Sequence, residues 1–546
     1  MLQNTVPDSE VGISSYAADC RNGLLRPAHL GELTRQIPRE LVERALEEER
    51  EARPPQRRRK LPLLVGVYFV LALQLFPGQG YQRVWQHLIG GMACLDRRQA
   101  RVSKSALIEL RGRVGEPVLY QLFRLLAGPV ASTRTPGVAW RGWRLVAVDG
   151  CRSLETANTP ANEGFFGRGR ALTPWSHPHV QLLALIEVGT RAIIDAVLAA
   201  AYGDERKLAA RLTPALRADM LVLADRGFGS APLYRQIAAT GAAFLVRCTA
   251  RRVPPVLAVL DDGTFLSRLG GVDVRVIDAD VVVRLADGTR TSTRYRLVTT
   301  LCDPVLYPAQ DLIALYHERW EVESASRDFK LGLLRCLPLR SRKPRAVRQE
   351  LWAALIVYQL LGREIAEAAH ASGLDPDRIS FEHALDHGRD SVIRAEIDPD
   401  TDYHGGSLRA YLLTPERRVP RRRLRTSDRK KHPHHRPAPS VRIDEITVEL
   451  RRPVLVTPPP PRPWCIPAVP RLPLPPASAD GVPPTLLERV LAALPYRQEE
   501  AAGPKEIRDA IGLSNVSHLT HLLKAWAANG WVVRLPRRTA CFGPDP

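Results

Sequence analysis

No stretch of this 546-residue chain offers the ~20 consecutive apolar residues that a membrane-spanning helix requires. The longest candidate, Leu61 to Phe76, runs 16 residues, contains Gln74 and stops at Pro77-Gly78, so it reads as a buried helix. Eight cysteines lie scattered from Cys20 to Cys541 with no Cys-x2-Cys pair. That excludes a disulfide framework and a cysteine zinc site, and it fits a reducing cytoplasm. The start carries Asp8 and Glu10 and no apolar core, so it is not read as a signal peptide. Acidic residues are the scarcer charge. Against 58 Asp and Glu stand 78 Lys and Arg, a net charge of +20. A polyanionic partner follows, nucleic acid or an acidic lipid surface, and charge alone does not choose between them.

Within ordinary globular composition, two apolar runs end abruptly in an acid. Leu145-Val146-Ala147-Val148 runs into Asp149-Gly150, and Leu221-Val222-Leu223-Ala224 runs into Asp225-Arg226-Gly227. Each reads as a buried strand that stops at a carboxylate. Between them, 179–187 and 191–200 form a hairpin around Val188-Gly189-Thr190, and 204–212 is helical. A helix over 231–240 and a short strand over 243–247 complete the set. Three antiparallel strands followed by helix–strand–helix–strand is the pattern of an α/β, RNase H-like domain. A single strand-end Asp is most often a turn former or helix cap; two in matching positions are harder to explain that way.

The third candidate acid lies in 316–330, which is uninterrupted by Pro or Gly and reads as an α-helix. On a helical wheel of about 100° per residue, Tyr316, Arg319, Glu323 and Lys330 share one narrow stripe. Leu315, Val322, Phe329 and Leu333 form an apolar ridge beside it. Ala325 falls on the far side of the wheel, which makes it a neutral control position. A carboxylate, a guanidinium, an ammonium and a phenol at the edge of a buried seam suit a metal ligand and phosphate clamps. Ordinary solvated i,i+4 pairs would explain each residue singly.

The spacing Tyr-x2-Arg-x3-Glu-x6-Lys resembles the signature of the DDE transposases of the insertion-element-four group. Asp225-Arg226-Gly227-Phe228 is similar to the segment around that family's second acid. The resemblance spans about residues 30 to 370 and implies a cut-and-paste DNA transposase. Under it, Asp149, Asp225 and Glu323 are the catalytic and metal-binding carboxylates, and Asp149 bridges two Mg²⁺ ions, for which Mn²⁺ can substitute. Tyr316, Arg319, Lys330 and Arg226 are the DNA-binding residues. The implied partners are double-stranded DNA at terminal inverted repeats and at the target, and a second copy of the chain in the DNA complex. No membrane is implied, and the location is the cytoplasm, at the nucleoid. Hairpin-forming members stack a Trp of the insertion on a flipped base. Between Asp225 and Arg319 this chain has no Trp, and Phe265 and Tyr295 are the aromatic candidates.

The domain reading follows. Residues 1–37 are loosely ordered, and 38–130 form a helical N-terminal domain with the Arg57–Lys60 cluster. That region suits either DNA docking or a packing subdomain, and the resemblance implies the former. The RNase H-like core opens over 140–250, a β-rich insertion occupies 251–307, and the signature helix with further helices fills 308–400. A basic arm (415–440) carries ten Lys and Arg from Arg417 to Arg436 and would gain phosphate affinity without sequence preference. Thirteen prolines in 453–484 make an extended linker. Beyond it, 485–546 reads as helix, helix, turn, helix and wing, either a winged helix-turn-helix-like module or a protein-interaction module. Two rival functions share these residues: a metal-dependent nuclease of the same fold without strand transfer, and a non-catalytic, transposase-derived DNA-binding protein.

Overall fold

The structure, a computed structural model, describes residues 29–50, 61–89, 102–168, 177–201, 203–249, 253–394, 407–419, 425–426 and 441–453, with short pieces beyond. The chain divides into two compact units, 1–453 and 454–546.

The first unit begins with four helices: α1 (Arg39–Arg50), α2 (Leu63–Leu75), α3 (Tyr81–Ile89) and α4 (Lys104–Leu126). The apolar run forms α2 as expected, and every residue from Leu64 to Leu75 is buried. No helix among the described residues is long and apolar enough to cross a membrane. Helix α4 is kinked at Gly115, whose φ of 72° leaves the helical region, two residues before Pro117; such a break is what Gly and Pro impose. Residues 29–37, expected to be loose, instead bury Leu30, Leu33 and Ile37 in the core. Arg57–Lys60 lies outside the described residues.

Next come β1 (Trp143–Glu155), α5 (Pro160–Phe166), β2 (His179–Glu187), β3 (Ile193–Ala200), α6 (Glu205–Ala210), β4 (Met220–Ala224), α7 (Ala231–Ala239) and β5 (Ala243–Arg247). Strand β1 pairs antiparallel with β2, which pairs antiparallel with β3; on its other side β1 pairs in parallel with β4, and β4 with β5. Strand β1 does not stop at Asp149. Its ladder with β2 continues through Asp149–Ala184, Gly150–Leu183 and Cys151–Leu182 to Glu155–His179, because β2 is long enough to keep pairing it past the Asp-Gly signal.

The segment read as a β-rich insertion does hold strands. Strands β6 (Phe265–Leu269), β7 (Val272–Leu285) and β8 (Arg290–Thr299) extend the same sheet, with β8 antiparallel to β5. Helix α8 (Ala309–Tyr316), α9 (Trp320–Arg327), the long α10 (Pro344–Ala371) and α11 (Phe381–Arg394) follow. A strand absent from the sequence reading, β9 (Val441–Leu450), then pairs antiparallel with β7. The described part of the sheet has twelve strands, a mixed α/β architecture.

Alternation along the strands sorts side chains onto two faces. Leu145, Ala147, Leu221, Leu223 and Leu245 enter one core with α2, α4, α9 and α10. Val146, Val148, Val222, Ala224 and Val246 enter a second core with Phe228, Leu233 and Ile237. Helix α10 packs against α4 and α2, so the N-terminal helices share a core with the end of the unit.

Of the second unit, helix Pro504–Ile511 and a ladder pairing Val533–Arg534 with Cys541–Phe542 are described. Of the other helices expected there only Val490, Leu519 and Leu523 are described, each helical and buried; the linker and most residues of the basic arm lie outside the described residues.

Strand β9 covers an edge that would otherwise present unpaired backbone groups. A chain ended at Pro453 should therefore melt within about 2 °C of the first-unit transition of the full chain. A chain ended at Ser440 should melt several degrees lower and scatter more light on heating. Calorimetry and light scattering check both.

Candidate active site

The period of two that buries Leu145 and Ala147 on the helical face carries Asp149 to that face, and Leu221 and Leu223 do the same for Asp225. In the parallel ladder Val148 stands beside Ala224, so the next residue on each strand is an acid. Adjacent strands run ~4.8 Å apart, and two carboxylates therefore face each other at neighbouring positions. Asp149 accepts from the Gly150 N–H at 2.8 Å. Asp225, just past the end of β4, caps the short helix Arg226–Phe228 by accepting from the Gly227 N–H at 2.7 Å.

Helix α9 packs across β1 and brings Glu323 over the same face. The apolar ridge is as expected, with Leu315, Val322, Phe329 and Leu333 all buried. The helix is not uniform. A 3₁₀ turn occupies His317–Arg319 and a π-helical stretch Asp328–Leu333. Three steps of 3₁₀ geometry make a full turn, which brings Arg319 nearer to Tyr316 than an α-helix would. Lys330 lies in the π-helical stretch and stands within electrostatic range of His179 at the start of β2.

Glu323 pairs with Arg319 at 3.0 Å. Arg319 is the bridge of the site. Its guanidinium lies 6.0 Å from the Tyr316 ring centroid and 5.7 Å from that of Trp320, and its charge acts on Asp149. Its buried Nε has no hydrogen-bond partner. The Tyr316 hydroxyl donates to the Ala224 carbonyl at 3.3 Å, one residue before Asp225, and burial pushes it up to about 12. Tyr316 is thus a tie onto the end of β4. Arg226 is exposed beside Asp225.

Burial is the main reason that the Asp149 carboxyl is pushed up to about 6. The Gly150 N–H and Arg319 pull it down, while Asp225 and Glu323 push it further up. Asp149, Asp225, Glu323, Arg319 and Tyr316 therefore share one site, with Arg226 exposed beside it. Among the described residues no three His, Cys, Asp or Glu side chains stand close enough to enclose a metal ion; Glu323 is drawn onto Arg319 instead. The donor set itself is hard oxygen of excess negative charge, which suits a divalent cation such as Mg²⁺.

Two expectations fail. Ala325 is buried and lines a small cavity with Asp149, Cys151 and Val322, so Ala325→Gln would overpack the core by ~1–3 kcal/mol and is no neutral control. Phe265 is buried in the second core and cannot meet a base. Tyr295 is half-buried at the site, edge-on to Tyr316 at 6.2 Å, with the Arg247 guanidinium 4.1 Å from its ring centroid. Arg247 escaped the sequence reading because nothing in a strand's last residue marks it as facing a site on other strands.

Asp149 holds its proton more tightly folded than unfolded, since its carboxyl stands near 6 rather than 3.8. The folded state therefore loses stability as pH rises through about 6, and carries no such cost below about 4. Asp149→Asn, neutral throughout, should be more stable than the wild type near pH 8, by up to about 3 kcal/mol, and equal to it below about pH 4. Melts in chelator across that range check this.

Residues 27–124 match the family model described as Insertion element 4 transposase N-terminal, and 156–360 match that described as Transposase DDE domain. Together they span more than half of the chain. Asp225 and Glu323 fall inside the second match, and Asp149 lies just before it. The chain is 28% identical over 335 residues to the transposase InsG for insertion sequence element IS4 of Escherichia coli strain K12, covering 60% of this chain and 75% of that protein. It is 28% identical over 134 residues to the putative transposase InsZ of the same strain, covering 24% of this chain and 44% of that one. A solved piggyBac transposase synaptic complex with hairpin DNA is similar at TM-score 0.37 and 10% identity, covering 76% of this chain and 88% of that chain; so loose a likeness decides nothing. With both matches in chain order and the Tyr-Arg-Glu-Lys signature inside the second, the chain belongs to the DDE transposases of the insertion-element-four family.

Proposed function

We propose that this transposase works by cut-and-paste transposition from an RNase H-like core, with Asp149, Asp225 and Glu323 as its three catalytic carboxylates. The observation that carries the reading is that Asp149 and Asp225 each follow the Val148–Ala224 pair of two parallel strands, with Glu323 on a helix crossing the same face. The substrates are the ends of the element in double-stranded DNA and then the target. Two copies of the chain would act together, one on each end.

The three carboxylates would hold Mg²⁺, which supplies an activated oxygen nucleophile and neutralises charge on the phosphate. The protein's own residues do the rest. Arg319 has a buried Nε–H without a partner, a donor suited to a phosphate oxygen. Tyr316 holds the end of β4 through Ala224 and so fixes where Asp225 stands. Arg226, exposed at the rim, and Lys330 neutralise neighbouring phosphates as point charges.

The proximity of Asp149 to two further acids is costly unless a cation offsets it, and this supports metal binding here. Asp149→Asn, Asp225→Asn and Glu323→Gln should each abolish nicking of a labelled element end in Mg²⁺ while DNA binding by gel shift persists. Arg319→Ala should slow single-turnover nicking ~10–100-fold without changing which metals support it. Wild-type nicking in any one carboxylate variant removes that residue from the set.

Tyr295, with Arg247 against its ring, is the aromatic able to stack on a flipped base, worth ~1–3 kcal/mol. Tyr295→Ala should slow hairpin formation after a normal first nick. An unchanged hairpin rate, or no hairpin from the wild type, removes base flipping from the scheme.

A further inference from the structure

Helix α9 is eight residues long and is joined to its neighbours by a 3₁₀ turn on one side and a π stretch on the other. Both joints keep helical backbone angles but change the winding, so contacts from outside the helix help to set the roll of α9 about its own axis. Glu323 is only as well placed as that roll.

Arg191 supplies such a constraint. Its Nε donates to Glu321 at 2.8 Å and its Nη1 to Asp328 at 3.0 Å. Glu321 stands in the first turn of α9 and Asp328 caps its end. Seven residues make about two helical turns, so both acids lie on one side of α9 and a single guanidinium spans its length. Glu323, two residues past Glu321, projects some 200° round, away from the clamp. The Arg191, Glu321 and Asp328 side chains are 17%, 6% and 12% exposed, which leaves little water to weaken the pairs. Arg327 touches Asp328 from the solvent side at 3.3 Å.

The base of the clamp is firm. Arg191 sits in the β2–β3 turn with φ at 59°, a left-handed conformation in which glycine would be at ease and arginine is strained. Its N–H donates to the Glu187 carbonyl at 2.8 Å. The fully buried Glu187 carboxylate accepts from Thr190 at 2.5 Å and from Arg144. At Gly189 a Cβ would fall 2.5 Å from the Gly137 backbone, so this turn is wedged in place. A strained arginine on a fixed turn is kept there by what its side chain does.

We propose that Arg191 is a positioning residue: by gripping Glu321 and Asp328 it fixes the roll of α9 and holds Glu323 within reach of Asp149 and Asp225. The inference rests on the reading of Glu323 as the third carboxylate. Arg191 touches neither DNA nor the reacting atoms; it acts through the helix.

Two variants test it. Arg191→Lys keeps the charge and loses the two-pronged geometry. The triple variant Arg191→Met, Glu321→Gln, Asp328→Asn removes the buried charges together, so that none is left unpaired. Amide exchange of 320–328 should quicken about tenfold in both, while exchange of β1 stays as in the wild type. Mn²⁺ affinity by calorimetry, without DNA, should fall ~10-fold, and nicking should slow ~10–100-fold, with DNA affinity within about twofold of the wild type. Unchanged exchange in α9 and unchanged Mn²⁺ affinity in Arg191→Lys would overturn the proposal, whatever the triple variant does. So would equal loss of protection in α9 and β1, the mark of general unfolding. Glu323→Gln separates the two readings. If it leaves Mn²⁺ affinity intact, the assignment of Glu323 fails. If it weakens Mn²⁺ binding and the Arg191 variants do not, the positioning role alone fails.

Discussion

Two carboxylates forced side by side by parallel strand pairing are the constraint from which the rest of the site follows. Asp149 in β1 and Asp225 just past the end of β4 lie on one face, and partial burial removes the water that would ease their repulsion. The raised carboxyl of Asp149 records that burial first and the neighbouring acids after it. Arg319 offsets part of it, and Arg319 stands where it does because a 3₁₀ turn winds it round beside Tyr316. The site is an arrangement that a folded chain would not keep for its own stability. It becomes economical when a cation or a phosphate completes the charge balance.

Much of this was legible beforehand because it obeys short periods. The unbroken apolar runs Leu145–Val148 and Leu221–Ala224 gave the two strands, each running into an acid. The ridge of Val322, Phe329 and Leu333 gave the buried side of the signature helix. What escaped depends on partners distant in sequence. The end of β1 was misread at Asp149-Gly150, since only the length of β2 decides how far the ladder runs. Strand β9 alternates only over Ile446, Val448 and Leu450, because a bulge after Ile443 breaks the period, and it lies between a basic segment and a proline-rich one.

The helical wheel failed for a related reason. The wheel put Ala325 opposite the active stripe, but three residues past Val322 it falls beside the apolar ridge, and it is buried with that ridge. Phe265 was offered as a stacking aromatic by composition alone, and a strand pairing with β7 turned it into core. Residues 29–37 lack any periodicity, but Leu30 and Leu33 need only one turn of backbone to reach a hydrophobic groove. Tyr316 was expected to spend its hydroxyl on DNA; a backbone carbonyl from a strand ninety-two residues away claims it.

The burial of α2 has a consequence for how the molecule is made. Twelve successive side chains of this helix are covered, and part of that cover comes from α10, which begins some 270 residues later in the chain. At a synthesis rate of about 5–20 residues per second, an almost wholly apolar helix waits on the order of tens of seconds for its lid. Until then it must be shielded by chaperones or by loose contacts with α4. One commitment in the birth of this protein is therefore the capture of an early helix by a late one, after the site on the sheet has already been translated.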